Sequence, residues 1–295
     1  MGFDSYHPTI NAIYFVAVIF CSICFRQPVY LALSFCCAAC YLTKLRGKKG
    51  LIFSLSLLPF AALFALWYAF YHHFGMTVLR HNFIDNAITL ESLLCGLTYG
   101  VVVATVLVWL GCLHTVFTAD KIVYLFGRIS PRLSLFLSVL LRTVPRIKAQ
   151  CQRINNAQRA LGLGSEQGNL WQRFCHCLRI GSILITWLVE SFVTSSDSMR
   201  CRGYTLRGRT AFSIYRFDHR DRALVVGFFA CLTGFLIAYL LDQTSVLFDP
   251  AIIMTPITPI SCAFYAIYAF FCSLPMTLQI ISEHRFAQLR AQNYR

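Results

Sequence analysis

Apolar runs of membrane-spanning length recur along this chain, and one long basic block, residues 119–222, interrupts them. A helical span needs about 20 mostly apolar residues. The bilayer core offers no water to exposed backbone groups, so such segments must close their hydrogen bonds internally. The runs are Ile10 to Phe25, Val29 to Leu42, Leu51 to Tyr71, Leu93 to Phe117, Ala223 to Leu241, and Ala251 to Ile281. The first two are separated only by Arg26-Gln27-Pro28, where Pro28 suits a helix start after a tight turn. Pro256, Pro259 and Pro275 predict a last run that is broken or preceded by irregular chain. The expected fold is an all-α polytopic membrane protein with about six transmembrane helices and a large cytoplasmic helical domain. Composition agrees: 57% of residues are hydrophobic and only 13% charged, against about 25% in a soluble domain.

The formal net charge of +14 suggests nucleic acid until it is located. Residues 119–222 hold 17 of the 26 Lys and Arg but six of the 12 acids, so a surplus of 11 lies there. Apolar residues at helical spacing run through the same block, which argues against a free basic tail or a nucleic-acid binder. Short basic loops stay inside, and Lys44-Leu45-Arg46-Gly47-Lys48-Lys49 is one. Counting outward places both termini and residues 119–222 in the cytoplasm of a plasma-membrane protein. Residues 72–92 and the loop with Asp242 and Asp249 fall outside. Three parts follow: membrane helices over 1–118, a cytoplasmic block over 119–222, and membrane helices with a tail ending at Arg295 over 223–295. Leu178 to Val193 is apolar enough to resemble a span. Crossing there would export Arg200, Arg202, Arg207, Arg209, Arg216, Arg220 and Arg222, so it is expected to lie along the cytoplasmic face.

The 14 cysteines are scattered, many within apolar runs, and are expected to be free thiols. The start, Met1 to Asn11, lacks the pattern of a cleaved leader.

Within the basic block, Pro131 to Ala160 has the period of an amphipathic helix. Leu133, Phe136, Leu137, Leu140, Val144 and Ile147 mark one side, and Arg142, Arg146 and Arg153 another. Such an Arg stripe is ordinarily a solvated or lipid-headgroup face. A reversal rich in glycine, Leu161 to Gly168, leads to a second long helix from about Leu170 to Cys201. The reversal lacks the strand and the Gly-Lys-Ser/Thr ending of a phosphate loop. The small polar stretch Thr194 to Ser198 permits a close helix crossing. The first helix closes at Gln158-Arg159-Ala160-Leu161-Gly162 and the second at Cys201-Arg202-Gly203. Each end offers an Arg beside a small residue, suited to plug an acidic socket, because the guanidinium fork bonds a carboxylate bidentately. The alternative is plain capping, where a cation at a helix C-terminus gains about 0.3–1 kcal/mol.

Other clusters carry less chemistry. Cys175-His176-Cys177 holds metal-ligand types, but adjacent residues do not share a helix face and no second ligand pair follows. His72, His73 and His81 read as a solvated loop, and Asp218-His219-Arg220-Asp221 as a salt-bridged interfacial turn. No nucleophile elbow is present. No catalytic residue, cofactor or metal is expected.

Ser198-Met199-Arg200-Cys201-Arg202-Gly203-Tyr204, with Arg207-Gly208-Arg209-Thr210 after it, resembles the second coupling motif of energy-coupling-factor (ECF) transporter T components. Gln158-Arg159-Ala160 is similar to the first, and His7-Pro8 with Asn11 to the family's N-terminal segment. Gln158 and Cys201 stand where the family commonly has small residues and Ala. The resemblance implies a non-catalytic transmembrane scaffold of an ABC-type importer. Two ABC-type ATPases would dock at Arg159 and Arg202, with Ala160 and Gly203 allowing close approach. A small membrane S component would bind a vitamin or metal ion as cargo. A conventional ABC permease forming its own substrate path is the alternative, but acids and bases are nearly absent from the last four runs, apart from Glu91 and Asp242 at their margins. A non-transport membrane enzyme lacks a reactive cluster. An adaptor for anionic lipid accounts for the charge but not for two matched helix ends.

Overall fold

The computed structural model describes residues 3–81, 87–204, 206, 215, 217–248, 252–256 and 258–293. The flank Arg207-Gly208-Arg209-Thr210, together with Arg216, Asp249 and Arg295, lies outside the described residues. In chain order, a 3₁₀ turn (Phe3–Ser5) precedes α1 (Pro8–Cys24), α2 (Pro28–Arg46) and α3 (Lys48–Tyr71). Next come β1 (Val78–His81), β2 (Ala87–Thr89), α4 (Leu90–Val116), α5 (Ala119–Ile129), α6 (Pro131–Ala160) and α7 (Leu170–Cys201). Then follow α8 (His219–Leu240), β3 (Val246–Leu247), β4 (Ile253–Met254) and α9 (Pro259–Asn293). Two compact units result: Met1–Thr118 with Tyr215–Arg295, and Ala119–Ile214.

By length and composition, six helices among the described residues suit a membrane crossing: α2, α3, α4, α7, α8 and α9. The count matches the sequence reading but the membership differs. Helix α7 enters, and α1, with 17 residues, ranks as a shorter apolar helix.

The first unit is held by a core of aromatic rings. Tyr14 of α1 donates its hydroxyl to the Phe271 carbonyl of α9 at 3.1 Å and packs edge-on against Trp109 of α4, ring centres 6.2 Å apart. A buried polar chain ties four helices. Trp109 Nε1 donates to Ser34 Oγ of α2 at 3.0 Å, Ser34 meets Ser22 Oγ of α1 at 3.0 Å, and Ser22 reaches the Tyr268 hydroxyl of α9 at 3.4 Å. Such bonds fix the rotation of apolar helices against one another. Lys44 of α2 adds an ion pair with Glu283 of α9 at 2.8 Å.

Small residues set the crossing of α3 and α4. A Cβ added at Gly96 would lie 3.0 Å from Ala65 Cα, and one at Gly100 2.6 Å from the Ala61 carbonyl oxygen. Ala61 and Ala65 on one helix and Gly96 and Gly100 on the other recur at four-residue steps, which lets the backbones touch.

The connecting loops hold more order than their sequences predict. Residues 72–92 contain the antiparallel pair β1–β2, closed where Thr77 Oγ1 donates to buried Glu91 at 2.7 Å. Irregular chain does precede the last helix, as its prolines predict. It includes the pair β3–β4, after which α9 runs on through Pro275. Residues 218–221 start a helix: Asp218 is the N-cap of α8, and its backbone N–H donates to the Asp221 carboxylate at 3.0 Å. His7 likewise caps α1, accepting from Thr9 N at 3.3 Å with Pro8 in the first turn. His7, Pro8 and Asn11 are all buried.

Candidate functional site

Residues 119–214 begin with α5 and fold back on α6, where Ser134 Oγ reaches the Val123 carbonyl at 3.4 Å. Helix α6 starts at Pro131 after the N-cap Ser130 and continues through Pro145. Pro suits the first turn because the N–H it lacks has no helical partner there.

Both long helices end in the same way. Helix α6 closes with Leu161 as C-cap (φ −92°, ψ 5°), and α7 with Arg202 (φ −81°, ψ 5°). Glycine follows each, at φ +77° for Gly162 and +74° for Gly203, in the left-handed region that side chains disfavour. At the first end, Leu163 N donates to the Gln158 carbonyl at 2.9 Å and Gly162 N to that of Arg159 at 3.1 Å. At the second, Tyr204 N donates to the Met199 carbonyl at 3.2 Å and Gly203 N to that of Arg200 at 3.0 Å. These are two Schellman motifs in one register. By these bonds Gln158-Arg159-Ala160-Leu161-Gly162-Leu163 aligns, position for position, with Met199-Arg200-Cys201-Arg202-Gly203-Tyr204.

That register separates the two arginines paired in the sequence reading. Arg159 matches Arg200, and Arg202 matches Leu161. Neither Leu161 nor Arg200 was singled out as a contact residue. Alignment on the glycines, rather than on an Arg beside a small residue, finds both. Leu161 is 71% exposed, so the first end presents an apolar side chain where the second presents a guanidinium. Ala160 and Cys201, each the last helical residue, are exposed too.

The loop after α6 folds onto its own helix. Arg159 Nη2 lies 3.7 Å from Glu166 Oε2, an exposed ion pair. The Glu166 carbonyl accepts two bonds from the Arg173 guanidinium, at 3.0 and 2.6 Å. Ser165 N donates to Asn155 Oδ1 at 3.1 Å, and Gly164 is packed against Arg159. Asn169 then caps α7, with its N–H bonded to Gln172 Oε1 at 3.0 Å. Arg202 has no such acid: among the described residues no carboxylate pairs with it.

A cleft of about 480 Å³ runs between α6 and α7. Arg142 and Arg146 line it from α6, Ser195 and Ser198 from α7, and Arg202 and Tyr204 from the end of α7. The large apolar residues of helix α7 are mostly exposed within this unit, and Ile180 is its one buried residue. Cys175 and Cys177 lie in its first turns as exposed free thiols. Among the described residues, no group of three His, Cys, Asp or Glu side chains is placed to hold a metal.

The class these features define is a multi-pass helical membrane protein carrying a helical module with two matched ends. No protein-family model matches the chain. Over 109 residues it is 36% identical to "Energy-coupling factor transporter transmembrane protein EcfT" of Lacticaseibacillus paracasei, covering 36% of this chain and 40% of the relative. Over 98 residues it is 36% identical to the protein of the same name from Lactococcus lactis subsp. cremoris, covering 32% of this chain and 36% of that relative. The chain thus matches less than half the length of these relatives. It is a distant homologue of proteins named EcfT, which agrees with the resemblance of its motifs to T components.

Proposed function

We propose that this chain is the transmembrane T component of an ECF-type ABC importer. It carries no catalytic step of its own. Two ABC-type ATPase subunits dock at the two helix ends, and a small membrane S component binds the cargo, a vitamin or metal ion. Closing and opening of the ATPases moves the two ends, and the rigid helices α6 and α7 pass that motion to the membrane part. The protein lies in the plasma membrane with both termini inside. Residues 119–222 face the cytoplasm with them, and α7 lies along the membrane face.

The observation that carries this reading is the repeated helix end. Two copies of one capped motif project from one helical unit, as two like partners require. The first contact uses Gln158, Arg159 and Ala160 with Leu161 beside them. The second uses Cys201, Arg202 and Gly203. The Schellman glycines let two hydrogen bonds close each helix end and satisfy its last carbonyls.

The test is ATPase co-purification. Truncating one partner of a buried, hydrogen-bonded charge pair costs about 2–5 kcal/mol. Arg159→Glu together with Arg202→Glu therefore abolishes capture of the ATPases, and each single change leaves partial assembly. Membrane insertion is unchanged. Full recovery of ATPase with the double variant, at wild-type expression, removes the coupling role.

A further inference from the structure

We infer that the cleft between α6 and α7 is a binding site for a phosphate-class anion. This goes beyond the T-component reading and does not depend on it. Arg142, Arg146 and Arg202 line one concavity with the hydroxyls of Ser195 and Ser198. No Asp or Glu lines it. The acids of this stretch of α7, Glu190 and Asp197, are exposed and are not part of the lining. Among the described residues none of these three arginines takes part in an ion pair.

Charge and shape then act together. Arg142 and Arg146 stand four residues apart on α6, the spacing that sets like charges against each other on one helix face. A cleft lined by one sign of charge focuses its field and concentrates counter-ions. The guanidinium fork matches a phosphate with two parallel bonds, and hydroxyls supply the remaining donors. The hydroxyl-bearing positions Ser191, Ser195 and Ser198 follow the same three- and four-residue steps along α7, opposite the Arg row. A second cleft continues the pattern, with Arg146, Gln150 and Arg153 across from Trp187 and Ser191. An Arg stripe that reads in the sequence as a solvated face is therefore turned, in part, toward a hydroxyl-lined groove. The phosphate can come from a lipid headgroup or from a small soluble molecule.

The experiment uses the full chain. In neutral detergent, inorganic phosphate is titrated calorimetrically. In parallel, phosphorus NMR is recorded in phosphatidylcholine discs with and without phosphatidylglycerol. The expected result is saturable binding of phosphate that weakens with added salt, or selective broadening of the phosphatidylglycerol signal. The first marks a soluble source and the second a lipid. Arg142→Gln with Arg146→Gln weakens whichever is seen by roughly tenfold or more. Arg173→Gln, outside the cleft, leaves it unchanged. The Arg142→Lys with Arg146→Lys variant falls between, because it keeps the charges and loses the forks. Equal binding by the wild type and the Gln variant, or no saturable binding in either medium, overturns the proposal. If the Gln variant fails to elute as a folded chain, the Lys variant alone decides: wild-type affinity in it removes the fork-based site.

Discussion

Leu161 and Arg202 occupy the same position of the same helix-ending motif, each the C-cap before a glycine at φ +77° or +74°. If that position is what a partner touches, Leu161 is the contact residue of the first end. Arg159 then serves mainly to tie down its own loop through Glu166, 3.7 Å away. Leu161→Glu is expected to weaken ATPase capture about as much as Arg202→Ala does. On that register Arg159→Ala removes only an exposed ion pair worth about 0–1 kcal/mol and leaves capture within several-fold of wild type, whereas the direct Arg159 contact proposed above predicts a loss of about tenfold or more. Quantitative pull-down of the three single variants checks this. Loss of capture in Arg159→Ala with none in Leu161→Glu returns the first contact to Arg159.

Much of this was legible in the residues. The limits of α6 and α7 follow from Pro131 after Ser130 at one start and from Gly162 and Gly203 just past the two ends. Periodicity separates α6 from the apolar runs around it but not α7, which is itself apolar enough to cross a membrane. The short pairs β1–β2 and β3–β4 escaped because strands of two to four residues carry no readable period. The approach of Arg159 to Glu166 escaped for another reason. It depends on the backbone angles of a tight reversal, which spacing alone does not give. The cap register was available in the sequence, but an Arg beside a small residue is a louder signal than a glycine three residues after an Arg.

Topology separates the two readings of α7, which is apolar enough to cross a membrane yet flanked by arginines. On a background without native cysteines, Ser165→Cys and Leu206→Cys are expected to resist an impermeant thiol reagent in right-side-out cells. Ser245→Cys is expected to react. Labelling at position 206 but not at 165 means that α7 crosses the bilayer, and the cytoplasmic placement of residues 119–222 fails with it.

The buried chain from Trp109 to Tyr268 predicts a stability effect far from the helix ends. Ser34→Ala leaves the Trp109 N–H without its partner among fully buried neighbours, whereas the Ser22 hydroxyl keeps the Val18 carbonyl at 2.8 Å. An unsatisfied buried donor costs about 1–3 kcal/mol, and measured losses within membrane helices average about 0.6 kcal/mol. A fall in thermal midpoint in detergent, with Trp109→Phe in the Ser34→Ala background adding less than it does alone, is the expected pattern. Additive losses would mean that the two side chains do not share a bond.

The crossing of α3 and α4 brings backbone against backbone, and it tests whether close backbone approach or side-chain filling holds the first unit together. At Gly100 a new Cβ meets backbone, the Ala61 carbonyl oxygen at 2.6 Å and Ala61 Cα at 3.0 Å, so no rotamer change relieves it. At Gly111 of the same helix the nearest atoms are side-chain carbons at 3.7 Å, ordinary contact distance. Both glycines lie inside α4, where Ala is the better helix former by about 1 kcal/mol. Overpacking costs about 1–3 kcal/mol, so at Gly100 the steric penalty outweighs the helix gain. Gly100→Ala should lower the thermal midpoint of the purified chain, and Gly111→Ala should leave it level or raise it. A combined Gly96→Ala and Gly100→Ala variant should lose more, because both positions press on the same stretch of α3. Equal tolerance of Ala at positions 100 and 111 would show that α3 and α4 stand further apart in the membrane than the crossing at Ala61 and Ala65 requires.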